Sequence, residues 1–180
     1  MTNILFSEEE IQARVLALAQ EISTDFRGKD IVLVGLLKGA FMFVRDLGVA
    51  LERLREAGGG IGDIYIDFLS VGSYDDGRES GTLKLDMDIR RSVKNCHVIV
   101  VEDTADTLNT LTWVDAHLRK KQPASLDICV LVRKPDKHRH QLDLRYVGFS
   151  REGLPFLGGY GLDVKGTRRC TPYIFEVSPE

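Results

Sequence analysis

The stretch VIVVEDTADTLNTL, from Val98 to Leu111, decides how this chain is read. Four consecutive β-branched residues (Val98, Ile99, Val100 and Val101) suit a strand buried on both faces of a parallel sheet. Glu102 and Asp103 follow where such sheets place ligands, at the carboxyl ends of strands. Thr104, Asp106, Thr107, Asn109 and Thr110 then surround the start of a helix predicted to run to about Lys121. Unpaired N–H groups and the dipole at a helix N-terminus attract anions, and threonine hydroxyls add donors.

Carboxylates beside such a cradle repel a phosphate unless they face something else, such as sugar hydroxyls or a Mg²⁺ ion. A ligand carrying both ends, a ribose 5-phosphate, meets both demands. The plainer reading makes Asp106 or Thr107 a helix cap, with Glu102 and Asp103 as solvated strand-end acids.

Working outward, Ser7 and Glu10 form a capping-box pattern ahead of Ile11, Val15, Leu18 and Ile22 at helical spacing. Ile31 to Leu37 reads as a buried strand. After Lys38-Gly39 a helix carries Phe43, Val44, Leu47, Leu51 and Leu54 until Gly58-Gly59-Gly60 stops it. Ile64, Ile66 and Phe68 alternate along one strand and Leu83, Leu85 and Met87 along another, so an antiparallel excursion is predicted around the polar loop 72–81. Further β segments are expected near Leu126 to Val132, Leu144 to Phe149 and Tyr173 to Val177. Strands alternating with helices imply a mainly parallel, doubly wound α/β sheet. The glycines at 58, 59, 60 and 62 follow a helix and precede a strand, the reverse of a dinucleotide fingerprint, and read as a turn.

With 180 residues the chain suits a single domain, 1–180, able to bury a core without disulfides or structural metal. A hydrophobic fraction of 43% with 28% charged residues is ordinary for a soluble protein, and no apolar run approaches a membrane span. The N-terminus lacks a secretory pattern, so a cytoplasmic location is expected. Cys96, Cys129 and Cys170 are odd in number and widely spaced, which argues for buried thiols over a disulfide framework or zinc site. A net charge of −3 gives no support for nucleic-acid binding. His138 and His140 flank Arg139 in KPDKHRH, read as a solvated turn with a metal site as the alternative.

The run from 98 to 111 resembles the phosphoribosyl pyrophosphate motif of type I phosphoribosyltransferases: two acids, then a loop usually ending Asp-Thr-Gly-x-Thr. VGLLKGAFMFVRDL at 34–47, SVGSYDDGRES at 70–80, VLVRKP at 130–135 and PFLGGYGLD at 155–163 resemble the hypoxanthine-guanine branch, in order along nearly the whole chain. The resemblance implies that family's fold, a mainly parallel twisted sheet flanked by helices with a small hood region. It implies transfer of a phosphoribosyl group from phosphoribosyl pyrophosphate to a 6-oxopurine, with Mg²⁺.

By the same resemblance Asp106 is the catalytic base, and residues 104 to 110 (Thr104, Ala105, Asp106, Thr107, Leu108, Asn109 and Thr110) hold the 5-phosphate. Glu102 and Asp103 hold the ribose hydroxyls and metal-bound water, and Asp163 lies near a second Mg²⁺. Lys38-Gly39 and Arg169 serve the pyrophosphate, and the Lys38–Gly39 peptide is often cis in relatives. Ser73-Tyr74 belongs to a mobile flap. Lys134 reads the oxygen at purine position six, Phe156 stacks on the base and the Leu157 backbone reads its edge. Relatives are homodimers or homotetramers.

The chain departs from the pattern at Leu108, where a glycine is usual. Leucine disfavours a positive φ and adds bulk beside the phosphate, so weaker affinity or a different loop shape is expected. Ala105 and Gly158 are smaller than usual, and VKGTRRC after Asp163 leaves the register of Arg168 and Arg169 open. A nucleotide-binding regulator with little turnover therefore stands as a second reading. An adenine or pyrimidine phosphoribosyltransferase is disfavoured by Lys134 and Phe156.

Overall fold

A computed structural model describes residues 3–73 and 83–178. Its elements are β1 (Ile4–Phe6), α1 (Glu8–Asp25), β2 (Ile31–Leu37), α2 (Phe41–Glu56), β3 (Ile64–Ser73), β4 (Leu83–Met87), β5 (His97–Ala105), α3 (Asn109–Arg119), β6 (Ser125–Arg133), β7 (Tyr146–Ser150), β8 (Leu157–Gly158) and β9 (Ile174–Glu176). Six strands form the central sheet in the order β4-β3-β2-β5-β6-β7. Every pairing in it is parallel except β3 with β4.

Local chemistry starts and stops these elements where expected. Ser7 accepts from the Glu10 N–H while the Glu10 carboxylate accepts from the Ser7 N–H, closing the capping box of α1. After α2, Gly58 and Gly60 adopt positive φ, confirming a turn there. Along β2, Ile31 and Leu33 enter one core with α1 and α2, while Val32, Val34 and Leu36 enter a second core with α3. Period-two alternation thus buries both sheet faces under helices. On the outer strand Arg14 of α1 donates to the carbonyls of Val147 and Gly148, which ties α1 down on β7.

A second sheet, β1-β9-β8, is antiparallel and joins the two ends of the chain to the segment after β7. It forms the hood that the family resemblance implies. Strands of two or three residues carry too little periodicity to read, so β1 and β8 had no sequence signal. Of the cysteines only Cys129 is buried; Cys96 is partly buried and Cys170 exposed, which corrects the expectation of three buried thiols. Cys170 lies in the hood's irregular return segment, where no sheet face covers it.

Candidate active site

The central strand β5 runs past its neighbour. Its pairing with β2 ends at Gly35 opposite Val101, yet its pairing with β6 continues to Ala105 opposite Arg133. Glu102 to Ala105 therefore belong to the strand itself, not to a loop after it, and form a lip at the carboxyl edge of the sheet. Beneath that lip is a cleft of about 350 Å³. Lys38, Gly39, Asp103, Thr104, Asp106, Lys134, Phe156, Leu157, Asp163 and Arg169 all reach it, from segments spread over more than a hundred residues.

Gly39 is needed for a reason the sequence did not disclose. A Cβ there would collide with the Asp103 carboxylate, and a Cβ on Gly161 would collide with the Gly39 carbonyl oxygen. Two backbone segments and one carboxylate thus close-pack at the cleft floor. The cis peptide in this region is Leu37–Lys38, one bond earlier than the Lys38–Gly39 peptide named above.

Burial raises the pKa of Glu102 well above the ordinary carboxyl value, and the charge of adjacent Asp103 raises it further. Burial also raises that of Asp103, opposed by hydrogen bonds to Glu102 and the Thr104 N–H and by the nearby Arg169 charge. Two adjacent carboxyls held this way are short of positive charge. Mg²⁺ takes one or two carboxylates and keeps much of its water, so this oxygen pair fits a hydrated ion. Among the described residues no cluster of three or more His, Cys, Asp or Glu is arranged around a metal position.

A second concavity of about 250 Å³ is lined entirely by residues 102 to 111. Leu108 stands at the cap position of α3 with φ of 67°, the left-handed shape a glycine would take, and supplies no cap from its side chain. That conformation costs a non-glycine residue about 1–2 kcal/mol. Its side chain is only 3% exposed and packs in the α3 core, and burial of a leucine contributes about 1.5–3 kcal/mol. Burial therefore offsets the backbone cost. The loop takes the left-handed shape at this position despite the leucine, and Leu108 is among the residues that line the concavity.

Neither candidate for a simple helix cap fills that role well. Asp106 turns toward Lys134, with 3.6 Å between Oδ2 and Nζ, and Thr107 Oγ1 meets the Asn109 N–H at a long 3.4 Å. The Thr104 hydroxyl is buried without a partner among the described residues. From outside, Arg139 N–H donates to the Thr107 carbonyl and His140 Nε2 lies 2.7 Å from Asn109 Oδ1. The KPDKHRH run is a turn exposed at Asp136, Lys137, Arg139 and His140, as read, and it also braces the loop.

Lys134 is 6% exposed at the end of β6 and donates to the Pro155 carbonyl at 3.0 Å. Phe156 beside it is 66% exposed at the cleft mouth, and Leu157 is buried in β8. Asp163 accepts from Arg169 Nη2 and from the Gly166 N–H, both at 2.8 Å, so its carboxylate faces an arginine and a turn. The register of the paired arginines is resolved: Arg169 reaches the cleft, while Arg168 lies over the Phe175 ring. Ser73 ends β3, and Tyr74 lies outside the described residues.

The sequence profile of the phosphoribosyl transferase domain matches residues 2–164. The chain belongs to the phosphoribosyltransferase family. The hypoxanthine-guanine phosphoribosyltransferase of Staphylococcus aureus is 34% identical, over 100% of this chain and 96% of that one. The enzyme of that name from Mycobacterium tuberculosis is 34% identical over 98% of this chain and 86% of its own length. Among solved structures, a hypoxanthine-guanine phosphoribosyltransferase from Bacillus anthracis superposes with a TM-score of 0.87 at 35% identity, covering 99% of each chain. A Trypanosoma cruzi hypoxanthine phosphoribosyl transferase superposes at 0.88 and 34% identity, over 98% of this chain and 91% of that one.

Within this family member, sequence reasoning missed Leu162, which completes the apolar wall of the cleft. It also missed Asp46 and Tyr160, which meet in the core beneath it. Leu162 had no signal, sitting in a glycine-rich run without periodicity. Asp46 had one: it stands three residues after Phe43 and one before Leu47, inside the apolar stripe of α2.

Proposed function

We propose that this phosphoribosyltransferase salvages purines, transferring the 5-phosphoribosyl group of phosphoribosyl pyrophosphate to a 6-oxopurine to give the nucleoside monophosphate and pyrophosphate. The observation that carries the reading is the Asp106–Lys134 pair inside a cleft lined by Asp103, with Glu102 in the adjoining concavity. An ammonium has three donors. Lys134 spends one on Pro155 and faces Asp106 with another, leaving one for an acceptor such as a purine 6-oxygen. Adenine offers an amino group there and is disfavoured.

In this mechanism Phe156 stacks on the base and the Leu157 backbone reads its edge. The N–H groups at the start of α3 and the hydroxyls of Thr107 and Thr110 hold the 5-phosphate, with Ala105, Leu108 and Asn109 shaping the loop. Glu102 and Asp103 hold the ribose diol while positive charge develops on the ring. As the new glycosidic bond forms, Asp106 takes the proton from the five-membered ring of the purine. Lys38, Gly39 and Arg169 receive the departing pyrophosphate. Glu102 and Asp103 would hold Mg²⁺, with a second position near Asp163, and the metal would supply charge neutralisation for the pyrophosphate. Ser73 and Tyr74 contact the substrate and help to exclude water.

The chain works as one domain, 1–180, in the cytoplasm; among the described residues no helix is long and apolar enough to cross a membrane. It assembles as a homo-oligomer through the groove between α2 and β3, where Ile66 is 48% exposed beside Phe41, Val44 and Ile64. Arg45 and Arg53 share that rim with Glu52 and Glu56. Both signs on one patch suit a second copy related by a two-fold axis. Ile66→Lys should yield monomers in sedimentation velocity, and unchanged sedimentation would remove the groove from this role.

The functional test is product formation from phosphoribosyl pyrophosphate with hypoxanthine, guanine, xanthine or adenine. Mononucleotide from one or more 6-oxopurines, and little from adenine, supports the reading. Binding of GMP without turnover would favour the regulator.

A further inference from the structure

Tyr160 is 1% exposed and has φ of 49°, between Gly159 at 89° and Gly161 at 101°. Three successive left-handed residues form a tight strap, and the middle one keeps a large side chain where glycine would carry less strain. Its hydroxyl donates to Asp46 Oδ2 at 2.8 Å inside the protein. Asp46 is nearly buried on α2 and also accepts from Gln12 of α1 and from Arg45. Burial pushes its carboxyl pKa up, but the bonds from Arg45, Gln12 and Tyr160 outweigh that and hold it below the ordinary value. A carboxylate with three donors is a fixed point.

Both sides of that bond lead to the same end of the cleft. Gly39 stands two residues before α2 begins, so the helix carrying Asp46 also carries the Lys38-Gly39 turn. On the strap, Gly161 lies directly against the Gly39 carbonyl, its N–H donates to the Arg169 carbonyl at 2.7 Å, and its own carbonyl accepts from Arg169 Nη1 at 2.7 Å. Arg169 in turn holds Asp163. The two walls therefore come from distant parts of the chain, and the Tyr160–Asp46 bond joins them beneath the floor.

We propose that Tyr160 and Asp46 are positioning residues that set the spacing between the Lys38-Gly39 wall and the Gly161–Arg169 wall, and so govern binding of the pyrophosphate end of the substrate. The proposal rests on the phosphoribosyl-transfer reading of the cleft. Lys134 lies at the end of β6 and Phe156 is separated from the strap by β8, so the purine contacts are expected to change little.

The test compares Tyr160→Phe, which keeps the ring and removes the oxygen, with Gln12→Met, which removes another donor to the same carboxylate oxygen without touching the strap. Melting temperature, KM for each substrate and calorimetric affinity for inorganic pyrophosphate with Mg²⁺ are measured for both. Tyr160→Phe is expected to raise KM for phosphoribosyl pyrophosphate and to weaken pyrophosphate binding about three- to tenfold, the range of one hydrogen bond. KM for hypoxanthine should stay within about twofold, and Gln12→Met should lower the melting temperature while leaving pyrophosphate affinity within about twofold. Unchanged pyrophosphate affinity in Tyr160→Phe overturns the proposal, as does an equal loss in Gln12→Met, which would mark the effect as stability alone. A wild-type protein that forms no nucleotide counts against the transfer reading, and pyrophosphate affinity then still decides the clasp.

Discussion

The two banks of the cleft are built in opposite ways. Residues 102 to 111 form one contiguous bank, in which strand, acids, loop and helix start follow in sequence order. The other bank gathers Lys38-Gly39, the strap around Gly161 and Arg169, held by contacts between residues more than a hundred positions apart. A contiguous bank tolerates local substitution if its shape is paid for locally, as Leu108 shows. An assembled bank depends on buried links that touch no substrate.

The comparison is most sharply tested by residues that reach from one bank into the chemistry. Asp106→Asn should reduce kcat about 100-fold, the low end for a general base, because the purine ring N–H is already fairly acidic. GMP affinity should be nearly unchanged; wild-type kcat would show that the contiguous bank only binds. Lys134→Met removes a charged donor from a buried position, and kcat/KM for 6-oxopurines should fall about 10- to 100-fold, with the advantage over adenine shrinking by the same factor. Equal losses for both purines would assign Lys134 to structure instead.

Leu108 tests local compensation. Leu108→Ala should lose about 2–4 kcal/mol of stability in denaturant unfolding, since it empties a core position. Leu108→Gly removes the same side chain but relieves the left-handed backbone, and should be about 1 kcal/mol more stable than Leu108→Ala. At an ordinary helix position alanine is the more stable of the two, so the inverted order isolates the backbone cost.

The smaller effects are electrostatic. Glu102→Gln should raise the melting temperature of the substrate-free protein by about 2–4 °C, because it removes a buried carboxyl that repels Asp103, and should weaken phosphoribosyl pyrophosphate binding. Asp46 has the opposite sign. Its folded pKa lies below the unfolded one, so its contribution is complete above the ordinary carboxyl range and is lost as pH falls through the lowered value. Asp46→Asn should therefore cost stability at neutral pH, and the gap from wild type should close in acid unfolding titrations.

How far the sequence could be read follows the same division. The central strand, the capping box of α1 and the acid loop were legible because each is a local pattern. Capping at Ser7, alternation in β2 and the carboxylates after Val101 all lie within a few residues of what they govern. Of the hood strands β9 was read but β1 and β8 were too short, and the reason for Gly39 was hidden because the Asp103 carboxylate against it is 64 positions away. Leu108 was legible in part: its backbone cost is visible in the sequence, while the α3 core that absorbs its side chain is a tertiary fact. The KPDKHRH run is solvated as read, but nothing in its composition discloses that Thr107 and Asn109 lie beside it.

Both banks meet in a single claim, that the loop from Asp106 to Thr110 holds a sugar phosphate while Lys134 and Phe156 hold a purine across the cleft. A crystal structure with bound GMP tests it most directly. The phosphate is expected against the N–H groups that open α3, the ribose diol facing Glu102 and Asp103, and the guanine 6-oxygen within hydrogen-bond reach of Lys134 Nζ. Nucleotide density in any other cavity, or a phosphate turned away from the start of α3, would contradict it.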